Sequence, residues 1–196
     1  MTEKIPNLRE QQKAATRDQL IRKGIELYLK QGFENTTVDQ IVEPLGIAKR
    51  TFFRYFKSKE EVVFVFYEDK TAHLVAELKN RPKDESPFKA VCEALSLQLQ
   101  LYDTDPKSVW ALVRLIKENP ALVGKGFEKR LASEKALTEA LVEREGSNTM
   151  NTLKAQLIVG VASVAWMAAL DEWYEQGGKT DLREILEKTF SMAGKL

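Results

Sequence analysis

Between Gly46 and Lys59 the chain reads Gly-Ile-Ala-Lys-Arg-Thr-Phe-Phe-Arg-Tyr-Phe-Lys-Ser-Lys. Its cations are Lys49, Arg50, Arg54, Lys57 and Lys59, and it has no carboxylate. Four aromatics, Phe52, Phe53, Tyr55 and Phe56, are interleaved with them. At helical spacing Phe52 and Phe56 share one face, while Lys49, Arg50 and Phe53 fall on the other, with Arg54 beside Arg50. Such a helix has an apolar back for a core and a cationic, partly aromatic front. That front suits a polyanion: Lys and Arg neutralise phosphates or reach a guanine edge, and aromatics meet sugars and thymine methyls.

Other chemistries find few residues to work with. The 196-residue chain has a single cysteine, Cys92, and a single histidine, His73. Intrachain disulfides and Cys/His metal sites are thereby excluded. A Ser-His-Asp hydrolase would need His73 as its base, and no nucleophile-elbow sequence accompanies it. We expect no catalytic residues, no metal site and no cofactor. Cys92 reads as a small core residue, and His73 as part of a polar network or a pocket wall. The net charge of +1 conceals an asymmetry. Residues 1–60 hold 12 Lys/Arg against 8 Asp/Glu, and residues 61–196 hold 18 against 21. Positive charge gathers at the end carrying the basic stretch, as a nucleic-acid contact requires. The N-terminus lacks an apolar signal region, and the longest uncharged run, Ala155–Leu170, is 16 residues where a membrane span wants about 20. A cytoplasmic location with no membrane partner is the expectation.

The elements that would position the basic stretch are legible on either side of it. Residues 1–8 read as an arm, and a helix from about Leu8 or Ala15 to Gln31 follows, with Leu20, Ile21, Gly24, Ile25, Leu27 and Tyr28 as its stripe. Thr36-Thr37 then opens a short helix as an N-cap; Val38, Ile41, Val42 and Leu45 share a face, and Gly46 ends it. Pro44, near that end, would forgo one backbone hydrogen bond. The basic helix, expected over Ala48–Phe56, comes three residues later. Helix, glycine-containing turn, basic helix is the helix-turn-helix pattern, whose second helix enters the major groove. The alternative is an all-α carrier or enzyme for apolar small molecules with an incidental basic helix.

Gly32-Phe33, Thr36-Thr37-Val38, Ile41, Gly46-Ile47, Thr51-Phe52-Phe53-Arg54-Tyr55-Phe56 and Ser58-Lys59-Glu60 resemble the N-terminal domain of the tetracycline-repressor (TetR) family. The resemblance covers about residues 15 to 65. It implies a double-stranded DNA operator as partner, with Thr37, Tyr55 and Lys59 as phosphate contacts. Lys49, Arg50 and Thr51 are the base-edge candidates, and Phe53 offers apolar contact. Two positions depart from the family's pattern. Ala48 stands where Ser is frequent, which removes a side-chain cap from the recognition helix, and Phe53 stands where Tyr is usual, which removes a phenolic hydrogen bond.

The rest of the chain reads as helices: Ser58 to about Asn80, then Pro87–Tyr102, Asp105–Glu118, Pro120–Glu145, Met150–Gln176 and Asp181–Gly194. In the first of these Val62, Val63, Phe66, Leu74, Val75 and Leu78 are the buried candidates, and this helix is the expected mechanical link between domains. The fold class is therefore all-α: an N-terminal three-helix helix-turn-helix domain over residues 1–60 and a C-terminal helical bundle over 61–196. Met150–Gln176 is apolar on every side, so one face needs a partner. Leu157, Val161, Val164 and Ala168, joined by Leu182, Ile185 and Leu186 of the last helix, are the candidate homodimer interface. Ala155, Gly160, Ala162, Ser163, Ala165, Ala168 and Ala169 would let a partner approach closely. An intrachain core is the other reading. The TetR resemblance implies a dimer built from these last two helices. Arg114-Leu115-Ile116 and Asn119-Pro120-Ala121-Leu122 resemble a subgroup that accepts acyl-CoA-like effectors. Trp110, Val113, Arg114, Phe127 and Trp166 are the candidate ligand residues, against a reading of the same positions as ordinary core with solvated charges.

Overall fold

The computed structural model describes residues 8–195, except for the side chains of residues 66–69, 101, 103 and 104. The expected arm, apart from Leu8, and the Phe66 side chain lie outside the described residues. No strand occurs among the described residues. The helices are α1 (Leu8–Gln31), α2 (Val38–Val42), α3 (Lys49–Tyr55), α4 (Lys59–Val63), α5 (Val65–Asn80), α6 (Pro87–Ser96), α7 (Leu99–Thr104), α8 (Pro106–Glu118), α9 (Pro120–Glu145), α10 (Thr152–Glu175) and α11 (Leu182–Ala193). A 3-10 turn, Glu43–Leu45, follows α2. Two compact units result. The first is Met1–Val65 with Leu115–Lys125, and the second is Phe66–Arg114 with Gly126–Leu196. The expected single boundary after residue 60 becomes three chain crossings, because α8 and α9 each change unit partway along.

In the first unit Leu20, Tyr28, Phe33, Ile41, Phe52, Phe56 and Val62 are buried. Tyr28 and Phe33 meet edge to face at 5.1 Å, and Phe52 and Phe56 lie 5.2 Å apart. Fully burying an aromatic or branched side chain contributes about 1.5–3 kcal/mol, so these few residues dominate a small core. The expected helix from Ser58 to Asn80 is two helices, since Phe64 leaves helical geometry (φ −104°, ψ 10°). Ser58 makes no side-chain cap; the Glu61 carboxylate instead accepts from Lys57 N at 2.8 Å. Pro44 falls outside α2, which ends at Val42, and stands in the first positions of the 3-10 turn, where its missing N–H costs least.

The second unit is built round α10, which packs on α11 and α6. Ala155, Val159, Ala162, Trp166, Ala169, Leu170 and Trp173 form its buried face, joined by Leu74, Leu78, Leu95, Leu137 and Leu141. The expected helix Pro87–Tyr102 is interrupted after Ser96. Tyr102 sits edge-on to both Trp166 (6.2 Å) and Trp173 (5.5 Å). All three tryptophans, Trp110, Trp166 and Trp173, belong to this unit. Arg144 is buried, and its guanidinium donates to the carbonyls of Pro82 and Glu85 while pairing with Glu145. It thereby fixes the turn between α5 and α6. Cys92 is buried here, and desolvation with the nearby Glu93 charge pushes its thiol up to about 12, which suits a core residue. His73 is exposed on α5.

By length and composition α10 could cross a membrane: its most apolar stretch has mean hydropathy 1.7. The sequence expectation counted only its uncharged run, which is shorter than the helix. Within the chain, 44% of that stretch is buried.

Candidate nucleic-acid interface

The recognition surface starts from a well-anchored α2. Thr37 is its N-cap: Gln40 N donates to Thr37 Oγ1 (3.2 Å), and Thr37 N donates to Gln40 Oε1 (2.9 Å). This capping box satisfies two helix-end donors and contributes about 1 kcal/mol. Gln31 Nε2 reaches Gln40 Oε1 (3.1 Å), and the buried Thr36 hydroxyl donates to Gly32 O (2.8 Å), tying the cap to the end of α1. After the 3-10 turn, Gly46 takes φ 64°, a left-handed conformation that costs glycine little, and α3 begins three residues beyond. Ala48 is the N-cap of α3 and supplies no side-chain hydrogen bond, as its side chain dictates.

The two faces of α3 separate as the sequence pattern requires. Phe52 and Phe56 are buried, whereas Lys49, Arg50, Phe53 and Arg54 are exposed, with Thr51 and Tyr55 at the margin. Phe53 is 49% exposed, unusual for a large apolar ring and appropriate for contact outside the chain. The Arg54 guanidinium lies 5.3 Å from the Tyr55 ring. Thr37 is exposed near this surface, with its hydroxyl oxygen accepting from the backbone and its proton available to donate outward.

Two cations have partners within the chain that the sequence reading did not name. Lys49 pairs with Asp39 of α2, Nζ to Oδ2 at 2.7 Å, with both side chains about half exposed. Lys59, expected as a phosphate contact, turns inward. Its ammonium donates to Phe33 O (2.8 Å) and Thr36 O (3.1 Å) and lies 4.2 Å from the Phe33 ring centre. Tyr28 Oη in turn donates to Lys59 O at 2.9 Å. Lys59 thus closes the turn between α1 and α2 over the start of α4, with one ammonium proton remaining. Neither partnership is readable from the sequence, because Asp39 and Lys49 are ten residues apart and Phe33 and Lys59 twenty-six.

Among the ligand candidates, Trp110 and Val113 pack partly buried against the core of the second unit, and Trp166 is buried within it. The Arg114 guanidinium lies 5.3 Å over the Trp110 ring. Phe127 is on the surface of α9, 5.0 Å from the Arg130 guanidinium, so it does not join the buried set. Sequence reasoning missed Tyr174, stacked on Trp110, and Gly178, against which Trp110 packs.

Of the interface candidates, Leu157, Val161, Val164 and Ala168 form an exposed stripe on α10, and Leu153 extends it. Leu182, Ile185 and Leu186 do not join it: they are buried in the chain's own core and hold α11 against α10. The small residues Ala155, Ala162, Ala165 and Ala169 are buried as well, so they serve close packing inside the chain. Gly160 stands apart, since a β-carbon there would meet no atom within 4 Å.

Comparison with known proteins agrees with this geometry. The profile described as "Bacterial regulatory proteins, tetR family" matches residues 20–65, and that described as "MftR C-terminal domain" matches residues 85–195. Among solved structures, Thermus thermophilus FadR in complex with lauroyl-CoA superposes with a TM-score of 0.60 at 19% identity, covering 90% of this chain and 92% of its own. Bacillus subtilis FadR in complex with stearoyl-CoA gives 0.57 at 20% identity, covering 90% and 96%. At such identities these structures establish the fold. The HTH-type transcriptional regulator TcmR of Streptomyces glaucescens is 34% identical over 194 residues, spanning 96% of this chain and 85% of that protein. Similarity of that degree over nearly the whole length extends beyond the DNA-reading end, and it makes this chain a member of the TetR family of transcriptional regulators.

Proposed function

We propose that the protein is a cytoplasmic, ligand-released repressor that binds a palindromic operator as a homodimer and acts by binding rather than catalysis. The observation that carries this reading is the two-faced α3, set after a capped α2 and the Gly46 turn. Each subunit would place α3 in a major groove, with the two half-sites one or more DNA turns apart. Lys49, Arg50 and Thr51 are assigned to base edges, Thr37 and Tyr55 to phosphates, and Phe53 to apolar contact. DNA binding belongs to the first unit; ligand binding and dimerisation belong to the second, through the stripe on α10. The effector is acyl-CoA-like, a reading supported by the folds shared with two acyl-CoA-bound regulators and by the Trp110–Arg114 pairing. Effector binding would shift the population away from the dimer that matches the operator, by no more than its differential affinity for the two states.

The test is selection of duplexes from random DNA, then fluorescence anisotropy of selected and random duplexes over a salt series. We expect the selected duplex to bind at least about 10³-fold tighter, with a steep loss of affinity as salt rises. Equal affinity for both duplexes, or affinity indifferent to salt, rejects the proposal.

A further inference from the structure

Within the second unit, the side chain of Trp110 is held from several directions. Tyr174 stacks on it at 6.2 Å with an interplanar angle of 17°. Arg114 caps it. The backbone of Gly178 presses against it so closely that a β-carbon there would lie 2.4 Å from Cδ1 and 2.8 Å from Cγ. Gly178 also has φ 70°, so two independent constraints require glycine where the ring is seated. A ring located this tightly has little freedom to find its own hydrogen-bond partner. Its Nε1 is buried and has no acceptor among the described residues. A buried donor left without a partner costs about 1–3 kcal/mol, so such groups call for an explanation. The same unit shows the ordinary solution: Trp173 Nε1 donates to Thr180 O at 3.0 Å.

We propose that Trp110 is the polar anchor of the effector site, its indole N–H donating to the carbonyl oxygen of an acyl thioester or ester. The proposal deepens the reading of an acyl-CoA-like effector and rests on it. The ring is fixed before the ligand arrives, so little ordering entropy opposes the bond. Arg114, over the indole, places a positive charge beside the anchored head group, where an anionic or strongly polar ligand end is favoured. An apolar molecule without an acceptor would leave the N–H buried and unpaired, so the anchor discriminates acyl derivatives from plain hydrocarbons.

The test uses the full-length protein and lauroyl-CoA as probe, with binding measured by calorimetry. Two variants remove the donor: Trp110→Phe, and replacement of Trp110 by 3-benzothienylalanine, which keeps the bicyclic shape and puts sulfur in place of N–H. We expect both to weaken lauroyl-CoA binding about tenfold, the loss of one buried hydrogen bond of about 1.4 kcal/mol. Circular dichroism and melting curves on both variants separate loss of the bond from loss of the fold. A benzothienyl variant that binds lauroyl-CoA within twofold of wild type overturns the proposal, as does a wild type that shows no binding. Failure of the regulator reading is distinguishable: it would appear as absent DNA binding while lauroyl-CoA binding and its tenfold loss remain.

Discussion

Arg50 and Lys59 show that two cations of one helix-turn-helix can do different work. Arg50 is exposed at the start of α3, where a guanidinium can meet a guanine edge with two hydrogen bonds. Lys59 holds two carbonyls of the α1–α2 connection. Arg50→Ala should weaken selected DNA by about 1–3 kcal/mol while leaving random DNA less affected. Equal losses on both would count against base reading by Arg50. Lys59→Ala should lower thermal stability, because Phe33 O and Thr36 O lose a charge-assisted donor worth about 1.5–3 kcal/mol. It should leave the slope of log affinity against log salt nearly unchanged, whereas deletion of a phosphate contact reduces that slope by roughly one. Melting curves and a salt titration on the same preparation separate the two roles.

At the scale of elements, α2 and α3 were the most legible parts of the chain. Their signals are local: a Thr-x-x-Gln cap, a glycine at the turn, and two phenylalanines four residues apart. The ends of α9 agree with the sequence reading for the same reason, since Pro120 opens it and Gly146 follows it. What escaped the sequence was settled by tertiary partners. Phe64 breaks the Ser58–Asn80 run at a place that neither Gly nor Pro marks. Leu182, Ile185 and Leu186 have a spacing that fits an inner or an outer face equally well. The Asp39–Lys49 pair depends on a turn angle that no spacing rule specifies. This pair predicts its own perturbation. Exposed ion pairs contribute only about 0–1 kcal/mol, so Asp39→Asn should leave stability nearly unchanged. It should release Lys49 and remove a negative charge from the DNA-facing side. Random-DNA affinity should rise by about 2–5-fold, a gain of roughly 0.5–1 kcal/mol, with a steeper salt dependence. Unchanged affinity in an anisotropy titration would show that Lys49 does not face the DNA.

At the scale of the whole molecule, the chain crosses three times between its two units, after Val65, Arg114 and Lys125. The sequence pointed to the first crossing alone as the mechanical link. With α8 carrying Trp110 and Arg114 in one unit and Leu115 in the other, the helix that bears the proposed ligand anchor continues in sequence into the DNA-reading unit. The α10 stripe supplies the remaining prediction. Val164 is 64% exposed in the single chain, and a carboxylate buried there in a dimer would be unpaired. Val164→Asp should therefore yield monomers at micromolar concentration in sedimentation, and reduced operator affinity with α3 untouched. A variant that remains dimeric removes the stripe from the interface. The tryptophans, confined to one unit, make the molecule bicoloured to spectroscopy. Indole emission during urea unfolding reports the Phe66–Arg114 and Gly126–Leu196 segments alone, while far-ultraviolet circular dichroism sums the helices of both. If the two halves melt as one cooperative body, the traces superimpose; if the DNA-reading half loosens first, ellipticity falls while emission holds.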